Sequence, residues 1–451
     1  MVIDIALIQD IVIVGISLWC ILRISRHSIF NPSLWYIALH FYTVTFRLLT
    51  LNLGAATSPI IGVHSDMELY RAATASDVGL IAVALVTAVL TLKRQERECS
   101  KALNILSNKL NIKVGKIISI LCLTIGTYAL FNYSYAGAAL NVSGVLDTGS
   151  VDIGNFANTS YPLMAAGFAV QGALIQFVLK GFTIWRNILF AILVIATALS
   201  LTRTSFVLAV VLAFLIYQAI EQRESIPFRW AICLIFLSML WFVFKPVQLA
   251  ILEGENVSSL WQTAGYYFDQ SITNNSSLDL QFLDMQATYM AASDESDVRF
   301  YGSTILPLLY LPIPRFMWPA KPRQNDYEYV LTSSRRPIAI VGMTPELSGE
   351  SYINYGWIGC FVIPFLYMAG MQSLYRKIMI DQHLSALHLI YIVLLVSMVQ
   401  VYRDGLDSLI IYPIVVYFPL LSWGIISILL PVIKKNAKSL DEHYIVHAIS
   451  R

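Results

Sequence analysis

Two arginines and one carboxylate stand at the edges of long apolar stretches of this chain. Arg203 lies in LSLTRTSF, Arg403 in VYRDGLDSL, and Glu350 in GESYINYGWIG, just before an apolar run. An arginine near a bilayer core costs roughly 2.5 to 3.5 kcal/mol on insertion scales, which favours a functional interpretation. A guanidinium fork can hold phosphate oxygens, and a carboxylate at the mouth of an apolar site can accept a proton. These residue types together predict a site for a pyrophosphate-linked substrate.

Each of these residues also has an ordinary structural interpretation. Arg203 could extend its guanidinium group to lipid headgroups. Arg403 is followed by Asp404 and could form an ion pair with it. Glu350 could stabilise the start of a helix, where acidic side chains are favoured. Arg47 and Lys245, near the ends of other apolar stretches, are expected to extend to the membrane surface.

Further side chains near these positions could contact an anionic or sugar ligand. A basic group lies in an otherwise acidic long loop, and a local positive patch favours an anionic ligand. Aromatic and amide side chains that follow Glu350 could stack on sugar rings or bond to them, although aromatic belts are common at membrane interfaces. These predicted substrate-binding residues are Arg315, Lys321, Arg323, Arg335, Arg336, Tyr352, Asn354 and Tyr355.

The composition requires a membrane protein. Of the 451 residues, 57% are hydrophobic and only 13% are charged, and the mean hydropathy is +0.66. A soluble protein of this size needs more polar surface. Stretches near the roughly 20 residues that cross a bilayer predict about eleven transmembrane helices, at 5–22, 32–53, 76–92, 117–135, 161–179, 187–202, 205–220, 229–248, 352–375, 385–402 and 406–430.

Lysine and arginine fall mainly in alternate connections between these stretches. Cytoplasmic connections accumulate such residues, so the N-terminus is expected in the periplasm and the C-terminus in the cytoplasm of a bacterial inner membrane. The span assignment depends most on 187–220. A single long helix there, instead of two spans, would place every later connection on the opposite side of the membrane. Two spans agree with the charge distribution.

The predicted organisation is therefore eight spans in 1–248, a periplasmic loop in 249–351, three spans in 352–430 and a cytoplasmic tail in 431–451. Within the loop, Leu280, Leu283, Ala287 and Met290 recur at helical spacing and predict an ordered amphipathic helix. A proline-rich apolar segment follows, TILPLLYLPIPRFMWPAKPR, and is expected to lie at the membrane interface.

No glycine-rich nucleotide loop and no histidine or cysteine pattern with metal-ligand spacing is present in the sequence. We therefore expect no cofactor, no metal and no nucleic-acid partner. His40 lies within a predicted span, where a histidine usually serves as a hydrogen-bond donor between helices.

Four segments in this order, LSLTRTSF, IPRFMWPAKP, GESYINYGWIG and YRDG, resemble the Wzy-type O-antigen polymerases, which are oligosaccharide repeat-unit polymerases. The resemblance covers about residues 200–430. It implies an all-α fold similar to C-type glycosyltransferases, with a large periplasmic loop over a membrane cavity. It also implies that a glycan on undecaprenyl diphosphate is transferred to the non-reducing end of another lipid-linked repeat unit. Arg203 and Arg403 would hold the pyrophosphate, Glu350 would match the family's acidic residue, and a chain-length regulator protein would be a partner.

Two alternative functions remain open. An O-antigen ligase is similar in architecture but typically carries a catalytic histidine in its long loop, and this chain has none between His64 and His383. A flippase or transporter of lipid-linked oligosaccharide usually places charge deep within its spans and has broken helices at the midplane. In this sequence the ionisable residues are predicted to gather at one edge of the membrane, which favours an enzyme.

Overall fold

The described part of the chain is helical and contains no β-strand. A computed structural model describes residues 2–25, 28–53, 65–92, 110–135, 153–181, 183–200, 203–223, 282–310, 313, 317–318, 320, 328–334, 344–378 and 384–431. Within these ranges, six helices are long and apolar enough to cross a membrane, or seven if one bent pair is a single span. The predicted class of all-α polytopic membrane protein is therefore confirmed.

The helices of the described ranges are numbered here along the chain. In chain order they are α1 (Val2–Ile24), α2 (Pro32–His40), a π-helical turn (Phe41–Thr45), α3 (Phe46–Asn52), α4 (Asp66–Leu92), α5 (Ile112–Tyr135), α6 (Ile153–Lys180), α7 (Ile184–Ser200), α8 (Arg203–Ile220), α9 (Phe282–Ser296), α10 (Pro307–Tyr310), α11 (Glu328–Ser333), α12 (Glu346–Ile378), α13 (Ala386–Asp404), α14 (Ser408–Ile410), a second π-helical turn (Ile411–Val416) and α15 (Phe418–Pro431).

The predicted count of eleven spans stays a prediction. Three described apolar helices, Gly167–Lys180, Ile184–Val194 and Val207–Ile220, are shorter than a full span, and the predicted span 229–248 lies outside the described residues. Around Arg203 the structure has two helices, α7 and α8, which pack against each other. This arrangement is the one expected of a hairpin.

Helices α1, α2, α4, α12 and α13 form the part of the bundle that positions the predicted site. At one end, Gln372 Nε2 of α12 donates hydrogen bonds to Asn31 Oδ1 at 3.1 Å and Ser33 Oγ at 2.6 Å. Ser33 in turn shares a 2.7 Å hydrogen bond with Thr87 of α4. These bonds fix α2, α4 and α12 relative to one another, because hydroxyl and amide groups inside an apolar bundle need partners.

The opposite end of the bundle carries the described part of the long loop, and we call it the loop end. The predicted loop helix is confirmed as α9, although Leu280 lies outside the described residues. Its burial differs from that of a surface amphipathic helix, because every side chain from Phe282 to Ser293 is buried. Helix α9 packs against α4 and α12, so it belongs to the core of the loop end.

The prediction for Arg47 is wrong, because its side chain does not extend to the membrane surface. Its side chain is 1% exposed and forms a two-pronged ion pair with Asp284 of α9. Arg47 Nε donates to Asp284 Oδ2 at 2.7 Å, and Nη2 donates to Asp284 Oδ1 at 3.2 Å. The reason is that a guanidinium in an apolar bundle is stabilised by a buried carboxylate, and the partner lies 237 positions away in sequence. The pair attaches the loop helix to α3.

We predict that Arg47→Ala or Asp284→Ala alone destabilises the fold by about 3 to 5 kcal/mol, because each leaves an unpaired charge in the core. The double variant Arg47→Met/Asp284→Leu should recover most of the loss, since an apolar pair of similar volume often replaces a buried ion pair without cost. Thermal unfolding of the purified protein in detergent measures both effects. Single variants that unfold at the wild-type temperature would contradict the assignment.

Candidate functional site

Glu350 joins three segments that are far apart in the sequence. Its carboxylate is fully buried in the first turns of α12. Glu350 Oε1 accepts a hydrogen bond from Thr304 Oγ1 at 2.7 Å, and Oε2 accepts one from the backbone N–H of Leu406 at 2.6 Å. The long loop, the start of α12 and the turn after Arg403 therefore meet at one carboxylate. Both of its oxygens serve to hold these segments together.

The close contact between Glu350 and the turn after Arg403 also explains why residue 405 is a glycine. Gly405 closes α13 with φ +92 and ψ −172, a conformation that side chains rarely adopt. A Cβ at Gly405 would also collide with Glu350 Oε2. The YRDG sequence thus ends a helix in a form that allows a buried carboxylate to approach the backbone.

Asn354 lies one turn after Glu350 and fixes the same junction. Its Nδ2 donates to Thr304 Oγ1 at 2.7 Å and to the carbonyl of Glu350 at 2.8 Å. Its Oδ1 accepts from the backbone N–H of Gly302 at 2.8 Å. Asn354 is fully buried, so its amide supports the junction from within the protein, and a contact with substrate stays a prediction.

Helix α12 bends immediately beyond Asn354. Tyr355 has φ −136 and ψ 16, and Gly356 has φ +61 and ψ −148, values outside the helical range. Such backbone conformations persist where the surroundings impose them, and they cluster at functional sites. The bend leaves Tyr355 45% exposed and Trp357 41% exposed. Of the predicted substrate-binding residues that the structure describes, Tyr355 is therefore the one with an exposed ring.

Arg403 lies in the last turn of α13, at the loop end of the bundle. Its side chain is 35% exposed and lies 3.4 Å from Asp404 Oδ1, so the predicted ion pair is present. The guanidinium carbon also stands 5.1 Å from the centre of the Phe282 ring. Thr344 Oγ1 donates to the carbonyl of Arg403 at 3.2 Å. A partly exposed guanidinium group can be reached by an anionic ligand, and its planar fork suits phosphate oxygens.

A second group of charges at the loop end was missed by sequence reasoning. This two-arginine cluster consists of Arg71, Asp294, Arg299 and Tyr352. Asp294 accepts from Arg71 Nη2 and from Arg299 Nη2, both at 2.6 Å, and from the Tyr352 hydroxyl at 3.0 Å. Arg299 also lies over the Tyr352 ring at 4.9 Å. No local spacing indicates it, because the members come from α4, from the end of α9 and the residues after it, and from α12.

The two-arginine cluster is separate from Arg403. Phe282 contacts Arg403 at the start of α9, whereas Asp294 is twelve residues further along the same helix. At 1.5 Å per residue this is a separation of roughly 18 Å. Tyr352 is 3% exposed and packs within this cluster, and its role in stacking on a sugar stays a prediction.

Glu346, which the sequence did not identify, differs from Glu350 in the hydrogen bonding of its carboxylate. It is 1% exposed, begins α12 with φ +56 and interacts electrostatically with His40, Asp404 and Arg403. Neither carboxylate oxygen accepts a hydrogen bond from the part of the chain that the structure describes. A strained, buried and unbonded carboxylate beside a candidate anion-binding arginine is typical of a functional group.

The other predicted site residues cannot be placed. Arg203 begins α8, which packs against α13, the helix that ends with Arg403 and Asp404. The side chain of Arg203 is not among those described, and the five loop cations lie outside the described residues; these are Arg315, Lys321, Arg323, Arg335 and Arg336.

Comparisons of the chain with protein-family models, curated proteins and solved structures give no match. The functional argument therefore depends on the residues and their geometry.

We predict that Asp294→Asn lowers the unfolding temperature at neutral pH. Burial alone raises the pKa of Asp294, but hydrogen bonds from Arg299, Arg71 and Tyr352 outweigh it and bring the pKa below its ordinary value. A carboxyl whose pKa is lower in the folded state contributes stability above its unfolded value, near pH 4, and loses it as the pH falls through the folded value.

The difference in unfolding temperature between wild type and Asp294→Asn should therefore shrink on acidification below about pH 4. Asp297→Asn is the matched control, because Asp297 is exposed and its left-handed backbone suits asparagine equally well. A difference that stays constant across this pH range would show that the charge of Asp294 has no part in it.

Proposed function

We propose that this chain is a glycosyltransferase of the polysaccharide-polymerase type that acts at the periplasmic face of a bacterial inner membrane. It would transfer a glycan from undecaprenyl diphosphate to the non-reducing end of another lipid-linked repeat unit. The observation that carries the proposal is the meeting of three segments at Glu350. The described residues 302–304, 346–357 and 403–406 form one junction, and the last two of these segments carry motifs singled out from the sequence.

The transfer needs no metal in this proposal, because diphosphate is already a good leaving group. The acceptor hydroxyl attacks the anomeric carbon, and the bond from that carbon to the diphosphate oxygen breaks. Undecaprenyl diphosphate leaves with the electron pair, and the hydroxyl proton passes to a carboxylate. Arg403, together with Arg203, would stabilise the charge that develops on the diphosphate. The partial exposure of Arg403 supports this role.

The proton acceptor is proposed to be one of two carboxylates at the start of α12. Glu350, the candidate from the sequence, has both oxygens in hydrogen bonds that hold the junction, which supports a positioning role. Glu346 has neither oxygen bonded within the described residues and interacts with Arg403. We therefore propose Glu346 as the acceptor, with Glu350 as the alternative.

Sugar contacts are proposed for the exposed aromatics at the bend of α12. Tyr355 and Trp357 present rings to the surface beside the junction, and an aromatic face can pack on the apolar face of a sugar ring. The bend that exposes them depends on Gly356. Tyr352 and Asn354 would have a supporting role, because they hold in place the helix that carries these rings.

A transporter of lipid-linked oligosaccharide is the second candidate, and one observation favours it. Asp10, His40 and Asp77 are buried together within α1, α2 and α4. Intramembrane ionisable groups often mark ion pathways in transporters. This buried group weakens the sequence argument against a transporter, which depended on ionisable residues at one edge of the membrane.

We predict that Arg403→Ala reduces polymer formation by about 100-fold or more, since loss of one donor to developing charge typically costs that much. Arg403→Lys should retain part of the activity, because lysine keeps the charge but lacks the planar fork. The assay uses purified protein in lipid with its undecaprenyl diphosphate-linked repeat unit alone, and the products are resolved by size. Arg376→Ala, at the other end of α12, is the control.

Three results would revise the proposal in different ways. Full ladders from Arg403→Ala or Arg203→Ala, at normal protein levels, would remove the proposed role of the arginine concerned. A folded wild-type protein that makes no ladder, but moves the lipid-linked substrate between the leaflets of a vesicle, would favour the transporter. Transfer only after addition of lipid A core would indicate a ligase.

The two carboxylates can be separated by amide substitution. Glu350→Gln keeps the side-chain volume, and its amide can still accept from Leu406 N–H and donate to Thr304 Oγ1. We predict that Glu350→Gln retains most of the activity, whereas Glu346→Gln loses it because an amide cannot accept the proton. Glu350→Ala should fail in folding, because two polar partners lose their acceptor. A folded but inactive Glu350→Gln would assign the proton to Glu350 instead.

A further inference from the structure

Three side chains that can bind metal ions meet in the interior of the helix bundle. Asp10 of α1, His40 of α2 and Asp77 of α4 each offer one ligand atom, and these atoms lie within 4.8 Å of one another. His40 Nε2 stands 2.8 Å from Asp10 Oδ1 and 3.5 Å from Asp77 Oδ1. All three side chains are at most 1% exposed. We call this group the Asp–His–Asp cluster.

Two buried carboxylate oxygens of the cluster lack a hydrogen bond within the described residues. Asp10 Oδ2 accepts none from these residues, and Asp77 Oδ1 has an ion-pair contact with His40 Nε2 at 3.5 Å but no hydrogen bond. A buried polar atom without a hydrogen bond costs roughly 1 to 3 kcal/mol, and more when it is charged. A cation between the two carboxylates would contact both oxygens.

The charges of the cluster do not balance by themselves. Two carboxylates and one imidazolium leave a net charge of −1, and two carboxylates with a neutral imidazole leave −2. Among the described residues, no lysine or arginine pairs with either aspartate, and Arg47, seven residues after His40, is paired with Asp284. A buried net charge is unfavourable unless it is compensated. One divalent cation bound by two carboxylates and a neutral imidazole gives a net charge of zero.

We propose that the Asp–His–Asp cluster binds one divalent transition-metal cation, with Zn²⁺ as the best match. Imidazole nitrogen with carboxylate oxygen is a donor set that suits zinc. Zinc bonds of about 2.0 to 2.2 Å in a tetrahedral arrangement put neighbouring ligand atoms roughly 3.3 to 3.6 Å apart. The 3.5 Å distance between His40 Nε2 and Asp77 Oδ1 already lies in this range, whereas the 2.8 Å distance between His40 Nε2 and Asp10 Oδ1 is that of a hydrogen bond. Metal binding would replace this hydrogen bond, lengthen the separation by about half an ångström and leave the fourth position to a water molecule.

The residues around the cluster hold its ligands in suitable orientations. His40 Nδ1 faces the Tyr402 hydroxyl at 3.3 Å, which leaves Nε2 directed at the carboxylates. Gln9 Nε2 donates to Asp77 Oδ2 at 2.9 Å, and Gln9 Oε1 accepts from Tyr70 at 2.9 Å. Partners of this kind fix the tautomer and direction of metal ligands. Asp77 thus has one oxygen held by Gln9 and one directed into the cluster.

Two structural features connect the site with the rest of the molecule. The π-helical turn Phe41–Thr45 begins directly after His40, and π-helical turns inside helices occur frequently at functional sites. Tyr402 contacts His40 and directly precedes Arg403. A bound cation would therefore hold α1, α2 and α4 together and fix the end of α13 that carries Arg403. This proposal stands whether or not the glycosyltransferase proposal is correct.

The test measures zinc retained by the full-length protein in detergent. Protein stripped with a chelator is incubated with Zn²⁺, passed through a desalting column and analysed for metal by mass spectrometry. Wild type should retain about one zinc per chain, and Asp10→Asn, His40→Gln and Asp77→Asn should lose nearly all of it, because three protein ligands are the usual minimum for zinc. Asp294→Asn is the matched control and should retain it.

A second measurement uses only wild type, in case a variant does not fold. Co²⁺ in place of Zn²⁺ should give visible absorption typical of low-coordinate nitrogen and oxygen ligation, and added Zn²⁺ should abolish it. Folded wild type that retains no zinc would overturn the proposal and leave protons as the balancing charge. Equal retention by wild type and all three cluster variants would also overturn it, because the metal would then lie elsewhere.

Discussion

A charge inside an apolar helix bundle must be balanced, and this constraint organises most of the described structure. Arg47 and Asp284 satisfy it as a two-pronged ion pair between α3 and the loop helix α9. Glu350 satisfies it by accepting hydrogen bonds from Thr304 and Leu406. In each case the balancing group comes from a distant part of the chain. The requirement for partners therefore attaches the long loop to the spans.

The loop end combines rigid support with a few exposed groups. Asn354 and Glu350 are buried and hold the backbone of three segments. Tyr355, Trp357 and Arg403 stand beside them with between about a third and nearly half of their surface exposed. A binding site needs this division, because exposed groups are positioned accurately only when the residues beneath them are locked. The proposed chemistry therefore depends on the shape of α12 at its bend as well as on the reactive groups.

The interior of the bundle has a different character from its loop end. The Asp–His–Asp cluster is closed to solvent and retains unbonded oxygens, whereas the two-arginine cluster is half-exposed and fully paired around Asp294. In the two-arginine cluster, the described groups pair with one another, so no ligand is needed. In the Asp–His–Asp cluster, the missing partner is the reason to infer a cation.

The sequence by itself determined the helical class and the helix near Leu283, because these depend on composition and local periodicity. It also placed Arg403 beside Asp404, since neighbours in sequence are neighbours in space. Only the tertiary structure decided that Arg47 meets Asp284 and that Asn354 faces inward. It alone showed that Glu346 has no hydrogen bond to its carboxylate from the described residues, and it alone brought Asp10, His40 and Asp77 together. Pairings between separate helices depend on how the helices pack, and no spacing within one segment of the chain contains that information.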